Sequence, residues 1–266
     1  MRILLVNDDG IDAPGLRIMA ETLSCEHELY IVAPEAERSG FSHSVTIFRD
    51  MRYGKAAYDA VESYAISGTP ADCVKFAVIH LFKDRRPDLV LSGINSGPNL
   101  GSDIMYSGTV AAASEGVFLG IPAIAVSLGG FIAPDAHGAS EARQHYQARE
   151  FYTEAAGFIK RNLAALYAAA KERAGEMLLN INYPVKIPFR GAAFTKAGLN
   201  WYDDYFDESA GEGVVQLKGK PTPHFSDETD CDVAMVKQGY ASITPLRLDR
   251  NHYEALAELR EKVKLE

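Results

Sequence analysis

Two adjacent carboxylates, Asp8 and Asp9, follow directly on the apolar run Ile3-Leu4-Leu5-Val6. Side by side the two charges repel, and one tends to take up a proton unless a cation relieves the repulsion. Other oxygen donors follow other apolar runs. Ser39 lies in Arg38-Ser39-Gly40-Phe41-Ser42-His43-Ser44, and Asn95 lies in Ser92-Gly93-Ile94-Asn95-Ser96-Gly97. The set Asp8, Asp9, Ser39 and Asn95 contains no Cys or His. That argues against zinc and for a hard divalent ion, Mg²⁺, Mn²⁺ or Ca²⁺. An isolated Asp-Asp-Gly is ordinarily an Asx turn or a helix cap; its position behind a buried strand favours the metal here.

A second group of residues suits an anion. Gly93, Gly97 and Gly101 let backbone approach a ligand closely. Ser107-Gly108-Thr109 opens an alanine-rich helix whose first amides lack intrahelical partners. Taken alone, these are turns and an ordinary N-cap. Beside a carboxylate pair, metal plus phosphate accounts for them better. His43 has two readings, proton donor to a leaving group or a residue that orders its loop by hydrogen bonding, and the second is the more ordinary. Glu115, on the helix behind Thr109, reads as a structural partner. The cluster Trp201-Tyr202-Asp203-Asp204-Tyr205-Phe206 offers stacking faces for a base, although such a cluster is more often packing or a subunit contact. Neither G-x-G-x-x-G nor G-x-x-x-x-G-K-[ST] occurs, so a dinucleotide oxidoreductase and a P-loop enzyme are unsupported.

These loops need elements that bring them to one place. Ile3–Val6, Leu29–Val32, Leu89–Leu91, Pro122–Val126 and Leu178–Ile181 read as buried strands. Between them, Leu16, Met19, Ala20 and Leu23 repeat at helical spacing, as do Val74, Ala77, Val78 and Leu81 behind the Thr69-Pro70 cap. Thr109–Phe118 and about Glu141–Ala174 are further helices. Val45–Arg49 and Tyr64–Ile66 are expected to form a small hairpin. Alternating strands and helices predict an α/β fold with a Rossmann-like, mainly parallel sheet flanked by helices. Such sheets bind ligands at the carboxyl ends of their strands, which is where every polar loop above falls. Residues 1–184 are expected to form this core. Residues 185–266 are expected to form a C-terminal extension: a β-hairpin arm over about 185–225, a strand at Tyr240–Thr244 and a helix from Tyr253.

Composition narrows the function further. The chain has 266 residues, 47% of them hydrophobic, enough for one sizeable core. Its net charge of −9 disfavours long nucleic acids as partners. Cys25, Cys73 and Cys231 show no disulfide or zinc spacing. No targeting segment and no span of ~20 apolar residues is visible, so the expected setting is the cytoplasm, without membrane partners.

Several blocks together resemble a known family, the stationary-phase survival SurE proteins, 5'/3'-nucleotidases. They are Ile3–Gly10, Arg38–Ser44, Ser67-Gly68-Thr69-Pro70-Ala71-Asp72, Ser92–Gly101, Asp103–Val110, Thr229-Asp230 and Gly239–Leu246. The resemblance implies a nucleoside-monophosphate phosphatase with one divalent metal, Mg²⁺ or Mn²⁺, held by Asp8, Asp9, Ser39 and Asn95. It also implies a phosphate surround of Gly40, Asn95, Ser107, Gly108 and Thr109, and a homodimer or homotetramer joined through the C-terminal segment. Catalysis would centre on Asp8 and Asp9, as proton acceptor for water or as nucleophile. Short polyphosphate is a further expected substrate. A nucleotide sensor without turnover would not need paired carboxylates, and an oligomeric scaffold would need none of the glycine loops.

Overall fold

The computed structural model describes residues 1–58, 60–130, 148–185, 188–199, 201–209, 211, 213–222 and 229–264. Nine strands form one sheet in the order β3-β4-β2-β1-β5-β6-β7-β11-β8. They are β1 (Arg2–Val6), β2 (Glu28–Pro34), β3 (Tyr53–Lys55), β4 (Glu62–Ile66), β5 (Leu89–Asn95), β6 (Ala123–Gly129), β7 (Met177–Pro184), β8 (Gly191–Phe194) and β11 (Tyr240–Arg247). The six strands from β4 to β7 pair in parallel; β3 and β11 join antiparallel, and β8 runs parallel to β11. The central strands are buried along almost their whole length because helices cover both faces. On one face α1 (Pro14–Leu23) and α4 (Arg149–Glu172) pack on Ile3, Leu5, Ile31 and Leu91. On the other, α2 (Pro70–Phe76) and α3 (Gly108–Phe118) pack on Leu4, Val6, Val32 and Val90. Among the described residues no helix is long and apolar enough to cross a membrane.

Local chemistry sets the helix starts. Thr69 caps α2: its hydroxyl accepts the Asp72 amide, the Asp72 carboxylate accepts the Thr69 amide, and Pro70 needs no partner at the first helical position. Ser107 caps α3 by accepting the Val110 amide at 3.0 Å. Beyond α2 the chain tightens no further but widens into a π-helical turn over Ala77–Leu81.

Two expectations need correction. Val45–Arg49 is not a strand; β4 takes β3 as its antiparallel partner instead and pairs in parallel with β2 on its other side. The apolar residues of 45–49 fit a strand, but Thr46 gives its amide and hydroxyl to Asp72, and Phe48 sits at φ 61°, where a strand cannot continue. A short helix, α5 (Asp232–Lys237), stands where none was expected. The helix expected from about Glu141 is observed as α4 from Arg149, and residues 141–147 lie outside the described set. The hairpin arm is a two-stranded sheet of β9 (Trp201–Asp207) and β10 (Gln216–Thr222). The chain closes with α6 (Tyr253–Lys262), which buries no side chain.

Candidate active site

β1 delivers Asp8 and Asp9 to the carboxyl edge of the sheet at its centre, between β2 and β5. The turn behind them is shaped by buried Asn7, whose side-chain amide donates to the Gly10 carbonyl at 2.9 Å. Asp8 is buried, 3% exposed. One carboxylate oxygen accepts the Thr109 hydroxyl at 2.5 Å. Gly108 lies so close that a Cβ there would stand 2.7 Å from the Asp8 Cβ and 2.8 Å from its Oδ2; no larger residue fits without a shift. Burial pushes the Asp8 carboxyl above the usual aspartate range, while hydrogen bonds from Thr109 and the amides of Gly108 and Thr109 pull it down. The first turn of α3 is thus aimed at this carboxylate.

The two neighbouring loops are tied to the carboxylate pair one residue away from each expected ligand. The Arg38 amide donates to the Asp8 carbonyl at 2.7 Å, which fixes the chain just before Ser39. The Ser96 amide donates to Asp9 Oδ2 at 3.0 Å, which fixes the chain just after Asn95. Asn95 gives its side-chain amide to the Gly97 carbonyl at 2.9 Å. The amide nitrogen is therefore engaged, and Oδ1 is the atom of this side chain with the chemistry to accept a cation. Ser39 is half-buried and Gly40 is exposed at φ 78°, a left-handed conformation that suits glycine. Among the described residues no three His, Cys, Asp or Glu side chains gather as a metal site. The candidate set combines two carboxylates with a hydroxyl and an amide, all hard oxygen donors, and a buried carboxylate that a cation would stabilise. This donor chemistry fits Mg²⁺ or Mn²⁺.

The residues expected around an anion have structural partners of their own. Ser107 uses its hydroxyl to cap α3, and Thr109 uses its own on Asp8. The first amides of α3 are engaged as well, those of Gly108 and Thr109 on Asp8 and that of Val110 on Ser107, so what this end of α3 offers an anion is the helix dipole. Beside it, Arg38, Phe41, Arg49, Met51 and Thr69 line a cavity of about 260 Å³. Pro70, next to Thr69 in the chain, would stand 3.1 Å from a Cβ at Gly108.

Several supports were not legible in the sequence. Asn99 holds the loop behind β5 through four bonds: its amide to Asn182, its side chain to Ser127, and its carbonyl from Asn180 and Asn182. Asp232 accepts three amides, from Gly101, Gly198 and Val233. Asp72 ties Thr46 to α2 in addition to capping it; its Thr-x-x-Asp spacing was the one readable signal. His43 Nε2 lies 3.0 Å from Glu115 Oε2, 72 residues away.

The model of the family "Survival protein SurE" matches residues 3–204. The chain is 41% identical to 5'-nucleotidase SurE of Desulfitobacterium hafniense, over 100% of this chain and 98% of that one. It is 40% identical to 5'-nucleotidase SurE of Desulforudis audaxviator, over 98% and 96%. The crystal structure of the SurE protein from Aquifex aeolicus superposes with a TM-score of 0.76 at 31% identity, covering 98% of this chain and 99% of that one.

Proposed function

This chain belongs to the SurE family, and from that membership we propose that it hydrolyses nucleoside 5'- and 3'-monophosphates to nucleoside and phosphate with the help of a divalent metal. The observation that carries the proposal is the buried carboxylate of Asp8 beside Asp9, facing the first turn of α3 with no cationic side chain among its hydrogen-bond partners in the described residues. Relatives named 5'-nucleotidase that share about two residues in five along the whole chain support the substrate class.

Asp8, Asp9, Ser39 and Asn95 would hold the ion, Mg²⁺ or Mn²⁺. When bound, it supplies Lewis-acid polarisation of the phosphoryl group and a lower pKa for water. Gly40, Asn95 and the Ser107-Gly108-Thr109 segment would surround the phosphate, and the dipole of α3 would stabilise the growing charge on its equatorial oxygens. Asp8 is locked by Thr109 and orients the site, while the less buried Asp9 is the proton acceptor for the attacking water. The nucleoside lies over the cavity walled by Arg38, Phe41 and Met51. Short polyphosphate presents the same terminal group and is a second substrate to assay.

We also assign residues 185–266 to assembly. The aromatic residues Tyr202, Tyr205 and Phe206 of the arm are exposed, and an isolated two-stranded hairpin is marginally stable at best. A second copy of the chain is the partner that would bury this surface, in a homodimer or homotetramer. Phosphate release from a panel of nucleotides, with and without Mn²⁺, tests the central reading. Release from mononucleotides only with metal is the expected result; faster release from terminally phosphorylated DNA would contradict the substrate class.

A further inference from the structure

The loop that carries Ser39 and Gly40 has no regular secondary structure, yet it must stand in register with α3 if both are to meet one phosphate. Its conformation is costly. Ser42 sits at φ 53°, in the left-handed region that residues other than glycine enter only when the surroundings hold them there. What holds it is an array of contacts to the elements around α3. The Ser42 amide donates to the Tyr106 carbonyl at 3.1 Å, and its hydroxyl donates to the Met105 carbonyl at 2.7 Å. His43 reaches α3 itself. Its Nε2 lies 3.0 Å from Glu115 Oε2, and its ring packs on Phe118 with centroids 5.7 Å apart.

Glu115 is unusual among the carboxylates of this chain. Its side chain is 4% exposed, and it meets two nitrogens at once, His43 Nε2 and Lys75 Nζ, the latter at 2.6 Å. Burial works to raise its pKa, but His43 and Lys75 outweigh burial and hold it below the usual glutamate range. A carboxylate buried in this way is stable only while its partners stay in place. Three elements therefore converge on one charge: the Ser39 loop through His43, α2 through Lys75, and α3 through Glu115 itself.

The direction of His43 decides between its two roles. Glu115 lies about 9 Å along α3 from Thr109 at ~1.5 Å rise per residue. His43 Nε2 is therefore engaged with a carboxylate six residues along α3 from Thr109, and its ring packs on Phe118 at the last turn of the helix rather than at its start. We infer that His43 is a positioning residue that clamps the Ser39–Gly40 loop to α3 through Glu115, and is not the proton donor to the leaving group. This inference rests on the proposed phosphatase reading, and it has a readout that does not.

Glutamine at position 43 can offer an amide N–H where histidine offers Nε2–H, but it cannot act as a general acid. His43→Gln should therefore keep kcat and KM within about threefold of the parent. His43→Ala should raise KM for a nucleoside monophosphate and weaken Mn²⁺ binding by about 10–100-fold, the range typical of residues that support metal ligands. With this variant, the loss in kcat/KM should be the same for the nucleotide and for p-nitrophenyl phosphate, whose leaving group needs no proton. Two results would overturn the inference. One is a His43→Gln variant as inactive as His43→Ala, with activity surviving only on p-nitrophenyl phosphate, which marks an acid. The other is a His43→Ala variant whose KM and Mn²⁺ affinity are unchanged while its melting temperature falls, which marks a purely structural contact. Mn²⁺ affinity, measured by titration calorimetry, needs no turnover. If the parent protein releases no phosphate from any nucleotide, the phosphatase reading fails, and the Mn²⁺ comparison of parent, His43→Gln and His43→Ala still decides the clamp.

Discussion

The carboxyl edge of the sheet and the β9–β10 arm are opposite ways of using side chains. At the edge, the site's polar groups are held from different elements: Asp8 by Thr109, Asp9 by Ser96, Asn99 by Ser127, Asn180 and Asn182. In the arm, Tyr202, Tyr205, Phe206, Val214, Val215 and Leu217 are all exposed. The two regions touch through Tyr202, whose hydroxyl donates to Asp103 at 2.6 Å, in the 3₁₀ segment Gly101–Tyr106 that leads into α3. The contrast separates two needs. Chemistry needs a few groups held to within tenths of an ångström, which requires redundant anchoring. Association needs apolar area left free, and exposed apolar surface of this kind marks interaction sites.

If this division is right, variants at the edge should remove activity without changing assembly, and variants in the arm should do the reverse. The largest effect belongs to the carboxylates. Asp8→Asn and Asp9→Asn should each lower kcat/KM by at least ~100-fold, beyond the loss typical of residues that merely support a metal ligand. The metal-free Asp8→Asn protein should melt no lower than the parent, because burial already disfavours the Asp8 charge. Steady-state kinetics and thermal unfolding on the same preparations check both halves.

Gly108→Ala should come next. Its Cβ would fall 2.7 Å from the Asp8 Cβ and 3.1 Å from Pro70 Cγ. Overpacking of this kind costs ~1–3 kcal/mol, and here the shift falls on a proposed ligand. Lower turnover together with a lower melting temperature is expected; a fully active variant would mean that the Asp8 position does not matter.

Replacing residues 201–222 by a short linker sharpens the comparison from the other side. By light scattering, the parent should have a multiple of 29.0 kDa, and the shortened chain should have the mass of one copy. Turnover should stay within about tenfold. A parent protein of 29.0 kDa at micromolar concentration would remove the arm's proposed role. Tyr202→Phe should have the smallest effect, since one hydrogen bond contributes ~1 kcal/mol. A change in kcat/KM beyond about tenfold would show that the arm takes part in the site.

The sequence was most informative where local chemistry alone determines the outcome. Ile3–Val6 is buried on both faces of a parallel sheet and reads as such; Thr69-Pro70 and Ser107 announce helix starts by residue type. The convergence of the loops after β1, β2 and β5 followed from the alternation of strands and helices. What could not be read depends on distant partners. Val45–Arg49 carries strand-forming side chains but is bound by Asp72, and α5 is too short to show periodicity. The pairing of His43 with Glu115 joins two loops' worth of chain across 72 residues. Asn180 and Asn182 look like polar interruptions of a strand until Asn99 is seen between them.

One measurement bears most directly on the role of Asp8 and Asp9. The protein is dialysed against a chelator, and phosphate release from a nucleoside monophosphate is followed before and after Mg²⁺ or Mn²⁺ is returned. An all-oxygen site built on two carboxylates predicts no release without metal and full release on adding either ion. Undiminished turnover by the metal-free protein would contradict it, and would move the chemistry away from the carboxyl edge of β1.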